Sequence, residues 1–289
     1  MPSLGKWRTL PLIAPSVLSL LVWMVVPLTM TLWFSFQRYQ LLAPQNRGFN
    51  GGINYAYLIT DPALSTALFN TILLLGSVLT ITVVLGLTMA VLFSQDFSGR
   101  SVARILVISP FFVMPTVSAL IWKNMLMHPV NGLFAFLGGL VGMAPVDWFG
   151  DWPMASIIII VSWQWVPFAL LIFLTALQSV DRQQKEAAYL DGAGSFAVFF
   201  HVILPHLKRA IAMVVMIEMI FFLTIFAEIF VTTSGGPGLA TTNLAFLIYI
   251  KSMLEFDVGV GSAGGVLAII LANIVAVFLI RTVARTLDA

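Results

Sequence analysis

Residues 186–205 read EAAYLDGAGSFAVFFHVILP, a polar start that passes through a glycine-rich bend into an aromatic run. Residues 183–190, which overlap the start of this stretch, are good helix formers. Gly192 can adopt the positive φ at which many helices end. Ala187, Ala188 and Ala193 have small side chains, so that a partner can approach this part of the segment closely. The segment therefore predicts a short helix followed by a tight bend.

A second helix is predicted after the bend, with one apolar face. Ser195 is expected to cap this helix at its start, and Pro205 is expected to stop it. Four large apolar side chains recur at i, i+3, i+4 and i+7, namely Phe196, Phe199, Phe200 and Ile203. An exposed face of this kind needs a partner to cover it.

The rest of the chain has the composition of a membrane protein. Hydrophobic residues make up 60% of the 289, and charged residues only 9%. A soluble domain could not cover so much apolar surface with so few charges, whereas lipid is a suitable solvent for it. The chain has no cysteine, which excludes disulfides and thiolate metal sites. The apolar run after Lys6 and Arg8 is too long for a signal peptide and has no cleavage site, so it is expected to stay as a span.

We predict an all-α membrane protein with six transmembrane helices. Pro27, Pro110, Pro115 and Pro167 are expected to kink helices rather than to end them, since neighbours in a bundle can bond the freed carbonyls. The predicted spans cover residues 10–36, 65–94, 104–127, 154–178, 207–233 and 262–280. Glycine- and proline-rich loops are expected at 43–52, 128–153 and 234–238. The predicted domains are an N-terminal span with its outer loop (1–64) and a permease core (65–289), which includes the inner loop 181–205.

Basic residues set the predicted orientation. With six spans both termini share one side of the membrane, and residues 181–205 lie on that side too. All but four of the 14 lysines and arginines fall there, the exceptions being Arg38, Arg47, Lys123 and Lys251. Because basic residues accumulate in cytoplasmic loops, both termini are expected in the cytoplasm.

The inner loop carries a family resemblance. Glu186-Ala-Ala, then Asp191-Gly-Ala, then Leu204-Pro205 resembles the EAA loop of ABC importer permeases, which docks as a coupling helix into a cleft of the ATP-binding subunit. The resemblance implies a polar contact from Glu186, a turn at Asp191-Gly192 and an aromatic face that fills the cleft. The implied contact set is Glu186, Ala187, Ala188, Asp191, Gly192, Ala193, Phe196, Phe199, Leu204 and Pro205. The chain departs from the family pattern at Phe200-His201, where basic residues are frequent, and at Arg209, where proline is frequent.

A second resemblance concerns the substrate. The stretch from Thr233 to Gly238 (TSGGPG) is similar to the Gly-Gly-Pro loop of maltose-type carbohydrate permeases, and the likeness runs from about Ile53 to the end. It implies a type I ABC importer permease of a bacterial inner membrane. The implied partners are a periplasmic solute-binding protein, a second, non-identical permease and two ATP-binding subunits, which would hold ATP and Mg. Residues 110–132 further resemble sorbitol and mannitol permeases, so the implied solute is a sugar or a polyol.

Polar residues inside the spans are candidate solute contacts because they are costly in lipid. Glu218 lies about 15 Å along a helix from Lys208, near the middle of a ~30 Å core, and Gln164 and Trp165 are expected at similar depth. A carboxylate, an amide and an indole ring suit a polyhydroxylated solute. The resemblance adds Val161, Phe168, Phe222 and Ile225 to the lining. Alternatively, Glu218 pairs with the partner permease and holds the two subunits together.

Catalysis and metal binding are not expected of this chain. It has no phosphate-binding Gly-x-x-x-x-Gly-Lys motif, and its three histidines lack metal-ligand spacing. Two other functions stay open from the residues. An ion-coupled secondary transporter would use a proton on Glu218, and would predict internal repeats. A membrane scaffold would not need Glu218.

Overall fold

The computed structural model describes residues 6–288. Five of its helices are long and apolar enough to cross a membrane. They are α1 (Lys6–Ser35), α3 (Pro62–Ser94), α8 (Pro153–Gln178), α11 (Leu204–Phe222) and α14 (Val258–Asp288). The predicted all-α membrane fold is therefore confirmed, and α1 and α8 continue through Pro27 and Pro167 as expected.

The third predicted span is wrong as a single helix. It consists of α4 (Arg100–Ile108), which continues as a 3₁₀ turn (Ser109–Phe112), and of α5 (Pro115–Ile121), which continues as a π-helical turn (Trp122–Leu126). The two halves meet at an angle of 109°. Pro115 lacks an amide hydrogen and starts the second half, so the helix breaks instead of kinking. Counted as one broken span, the pair brings the number of spans to six.

The fifth predicted span is displaced. The helix that should end at residue 233 ends at Phe222, and a separate helix α12 (Ala227–Thr232) follows. The predicted loop 128–153 holds two short helices, α6 (Leu133–Leu140) and α7 (Trp148–Asp151). The remaining bounds are α2 (Ile53–Thr60), α9 (Arg182–Leu190), α10 (Ser195–Val198) with a π-helical turn (Phe199–Ile203), and α13 (Leu244–Tyr249) with another (Ile250–Leu254).

The chain forms two compact units. The first comprises the described residues up to Leu64 together with Leu247–Ile270, and the second comprises Ser65–Phe246 together with the described residues from Leu271. In the second unit, α3, α8 and α11 share a core of buried side chains that includes Phe93, Phe173 and Leu207. Gly86 of α3 lies directly against Ala169 of α8, where an added Cβ would come within 2.6 Å of the alanine methyl.

A small hairpin organises the first unit. Strands β1 (Gln37–Arg38) and β2 (Gly48–Phe49) pair antiparallel, within a region expected in part to be loop. The buried amide of Asn54 donates to the carbonyls of Ser35 (2.9 Å) and Gln37 (2.8 Å), which fixes the end of α1 against α2.

An ion-pair cluster also stabilises the first unit. The ammonium of Lys251, whose side chain is 7% exposed, lies 2.8 Å from the carboxylate of Asp61 and 3.0 Å from that of Glu255. The hydrogen bond from Lys251 holds the pKa of Asp61 below its ordinary value of 3.8. A lysine this deeply buried depends on its partners, because a buried charge without them is costly.

Replacing Asp61 by Asn is expected to destabilise the protein by about 1–3 kcal/mol, since it removes a hydrogen bond between charged groups. A depressed carboxyl pKa gives stability that is present above the unfolded pKa and lost as the pH falls through the folded one. The difference in melting temperature between wild type and Asp61→Asn in detergent should therefore shrink below about pH 4. Asp96→Asn serves as the control, because Asp96 pairs with Arg100 while 94% exposed. Equal effects of the two substitutions would contradict the role of the cluster.

Candidate coupling segment and solute contacts

The first helix of the candidate coupling segment forms as predicted. The carboxylate of Asp181 caps α9 by accepting from the amide of Gln183 at 2.9 Å. The helix ends before Gly192, which has a φ of +83°, so the predicted bend at glycine is confirmed. Glu186, Ala187 and Asp191 are exposed on this helix and bend, while Ala188 and Ala193 are half-buried.

The second helix departs from the prediction at both ends. Ser195 makes no capping hydrogen bond and is already helical, because Gly194 occupies the capping position with extended ψ. Pro205 does not stop the helix either. The amide of Leu204 donates to the carbonyl of Phe199, five residues back, and this π-type bond leads directly into α11. Residues Ser195–Phe222 thus form one helix of 28 residues.

The predicted single apolar face is wrong because the π-helical turn changes the angular spacing of its residues. Phe196 and Phe200 point to solvent, being 83% and 55% exposed. Ile203 instead packs against the buried core that α3, α8 and α11 share. Phe199 is half-buried, and its ring stands edge-on to that of Phe200 at 5.1 Å.

Two exposed apolar residues of α9 were missed by the sequence reasoning. Leu190 is 88% exposed and Tyr189 is 53% exposed. Their position directly before the bend was a signal that could have found them. With Phe196 and Phe200 after the bend, the segment carries four large exposed apolar side chains, and we call these four the coupling surface.

The predicted solute contacts on α8 and α11 do come together. The ring of Trp165 lies 5.9 Å from Phe168 and 5.3 Å from Phe222. Two further rings, which the sequence reasoning missed, complete this aromatic cluster: Phe111 at 5.8 Å and Phe221 at 5.0 Å from Trp165. Val161 and Ile225 are buried.

The two polar candidates bond within the chain. Glu218 is fully buried, and the hydroxyl of Thr82 on α3 donates to its Oε2 at 2.6 Å. Gln164 donates from Nε2 to the carbonyl of Val113 at 2.7 Å, at the break in the third span. Among the described residues, Oε1 of Glu218 and Oε1 of Gln164 find no hydrogen-bond partner although both are buried.

The described residues thus combine a helical membrane core, a broken span and an exposed helical segment that is continuous with the fifth span. The family described as "Binding-protein-dependent transport system inner membrane component" matches residues 82–289, and the chain belongs to it. It is a multi-pass component of an inner membrane and not an enzyme, since the ATPase activity of such systems lies in separate subunits.

Individual relatives agree with this assignment. A probable ABC transporter permease protein of Sinorhizobium fredii is 34% identical over 88% of this chain and 81% of its own length. A trehalose/maltose transport system permease protein of Thermococcus litoralis is 31% identical over 90% of this chain and 88% of its own length. The structure of a bacterial ABC transporter that imports the acidic polysaccharide alginate contains a chain with the same fold. It aligns with a TM-score of 0.83 and 19% identity, over 97% of this chain and 96% of that one.

Gly192→Ala is expected to loosen the coupling segment, because alanine at a left-handed φ costs about 1–2 kcal/mol. Nothing obstructs a methyl group at Gly192 or at Gly194, so the two sites differ in backbone conformation and not in the space for a side chain. Amide hydrogen exchange in α9 should speed up about 5- to 30-fold in Gly192→Ala and stay unchanged in Gly194→Ala. Identical exchange in the two variants would show that the bend does not depend on the glycine.

Proposed function

We propose that this chain is one of two non-identical permease subunits of an importer for a sugar or sugar alcohol. A periplasmic binding protein would deliver the solute, and two ATP-binding subunits, holding ATP and Mg, would supply the energy. No cofactor would bind this chain itself. The single observation that carries the proposal is the continuous helix Ser195–Phe222, since one end bears Phe196 and Phe200 of the coupling surface and the other contributes Phe221 and Phe222 to the aromatic cluster.

The carbohydrate assignment has support from relatives and from chemistry. Relatives of this chain are named as permeases for trehalose/maltose, sulfoquinovosyl glycerol and arabinooligosaccharides. The indole of Trp165 can cover the C–H face of a sugar ring, and the edges of Phe168 and Phe221 would extend that platform. Buried amide and carboxyl oxygens beside it can accept bonds from hydroxyls.

The proposed solute contacts fall into two groups by accessibility. Trp165 and Phe168 are half-buried and can meet a solute in the conformation described. The others would reach it only after α8 and α11 separate during the transport cycle, and they are Val161, Gln164, Glu218, Phe222 and Ile225. Rocking of packed spans around a midplane site is the expected means of alternating access.

The proposed ATPase contacts comprise the coupling surface and the residues implied by the EAA resemblance, from Glu186 to Pro205. The excess of basic residues on this side supports a cytoplasmic position for the segment and for both termini. Closure of the ATPase dimer would push on the segment. Because the second helix of the segment and α11 form one helix, a push on that helix would reach Phe222 without an intervening joint.

Glu186→Ala is expected to abolish solute-stimulated ATP hydrolysis by the reconstituted importer while the protein still inserts. Glu186 is exposed, so the substitution should not disturb folding. Gln184→Ala, two residues earlier on α9 and also exposed, should leave stimulation intact. Normal stimulation in Glu186→Ala would remove this glutamate from the ATPase contact.

Trp165→Ala is expected to raise the KM for uptake about tenfold, which corresponds to about 1.4 kcal/mol of lost binding. Trp163→Ala is the matched control, because Trp163 packs on Trp122 at 5.7 Å, away from the aromatic cluster. Initial uptake rates into proteoliposomes over a range of solute concentrations give KM for each variant. An equal KM for the two variants would place the solute elsewhere.

Glu218→Ala separates the two roles considered for this residue. As a solute contact, it should raise the KM for uptake, and Thr82→Val should not. Thr82→Val removes the same intrachain hydrogen bond and leaves the carboxyl group in place. A loss of stability in both variants with KM unchanged would make Glu218 a structural tie to α3.

A further inference from the structure

A cleft lies between the end of α8 and the start of α11. The two helices touch at Trp165 and Phe221 (5.0 Å), and Ser179, directly after α8, meets His206 (3.0 Å between Oγ and Nε2). The helices therefore run antiparallel, with about 21 Å of each between these contacts. Residues at intervals of three and four share the face toward α11, namely Trp165, Phe168, Ile172 and Thr175 on α8 and Ser179 after it.

The cleft has both apolar and basic walls. Its volume is about 910 Å³, which is in the range of small-molecule sites. The cleft is lined by the apolar residues Ile172, Ala176, Ala210 and Met213. It is also lined by His206, Lys208 and Arg209. Among the described residues that line this cleft, none is acidic.

The hydroxyl groups of the cleft present acceptors. Thr175 donates its proton to the carbonyl of Leu171 (2.8 Å), and Ser179 donates to that of Ala176 (2.7 Å). The Ser179 oxygen therefore accepts from Nε2–H of His206, and both hydroxyl oxygens have capacity left for a solute O–H. The general excess of basic residues on the cytoplasmic side accounts for Lys208 and Arg209 alone, and not for these polar groups beside them.

We propose that this cleft is the cytoplasmic end of the solute path and that the solute is an anionic sugar derivative. Its carboxylate, sulfonate or phosphate group meets Lys208 in the cleft, and its hydroxyls bond to Thr175 and Ser179. The inference rests on the proposed import function. Screening over about 8 Å at physiological salt confines the attraction to the cleft, so the charges act on release and not on delivery.

The first test uses pairs of probes on the binding protein of the same importer. Thermal shifts are compared for glucose against glucuronate, galactose against galacturonate, and glycerol against glycerol 3-phosphate. The acidic member of a pair should raise the melting temperature and the neutral member should not. Stabilisation by neutral sugars alone would overturn the anionic assignment and leave the import function standing. Stabilisation by neither kind would count against both.

The second test acts on this chain in the complete importer. Lys208→Gln should reduce the uptake rate of the acidic probe at least about fivefold, and the charge-conserving Lys208→Arg should retain it. Arg100→Gln is the control, since Arg100 bonds Asp96 away from the cleft. Full uptake by Lys208→Gln, or an equal loss in Arg100→Gln or in Lys208→Arg, would overturn the proposal.

Discussion

The breaks in the membrane helices are stabilised by polar side chains that bond freed backbone carbonyls within the protein. Lipid offers no hydrogen bonds, so an unpaired carbonyl at membrane depth costs several kcal/mol. At the break of the third span, Gln164 donates to the carbonyl of Val113. After α11, Asn243 donates to the carbonyl of Ile225 at 2.6 Å, and Lys123 bonds the last carbonyls of α12 at 2.7 and 3.0 Å. Polar side chains, which are costly in lipid, thus lie where the chain leaves helical geometry. Several of them have a structural role, whether or not they also contact the solute.

The need to keep backbone groups bonded also explains the length of the fifth span. Proline lacks a donor, and Pro205 would be expected to separate the coupling segment from the membrane helix. The π-helical turn at Phe199–Ile203 shifts the hydrogen bonds to i+5, and the helix passes through the proline. Phe196 and Phe200 of the coupling surface and Phe221 and Phe222 of the aromatic cluster therefore lie on one continuous helix. An ATPase that moves Phe196 and Phe200 would also move Phe221 and Phe222, which touch Trp165.

Sequence patterns predicted the parts of this structure that depend on hydrophobicity and on glycine. The second and fourth spans match α3 and α8 within a few residues, and Gly192 bends the chain as expected. The effect of proline was predicted wrongly at two positions. Pro115 breaks a span that was expected to kink, and Pro205 lies within a helix that it was expected to stop. The difference lies in distant partners such as Gln164 and in the π-helical turn, neither of which a local pattern reveals. The partner of Glu218 was missed for the same reason, as Thr82 lies on another helix.

The central claim is that the second helix of the coupling segment and the fifth span move as one body. The chain has no cysteine, so spin labels can be placed at Ser195→Cys and Met213→Cys, both at exposed positions. Double electron–electron resonance on the complete importer measures their separation, about 27 Å for a continuous helix. The account predicts one narrow distance, unchanged between the nucleotide-free and ATP-bound states. A shift or a broadening on ATP binding would show a joint near Pro205 and would contradict it.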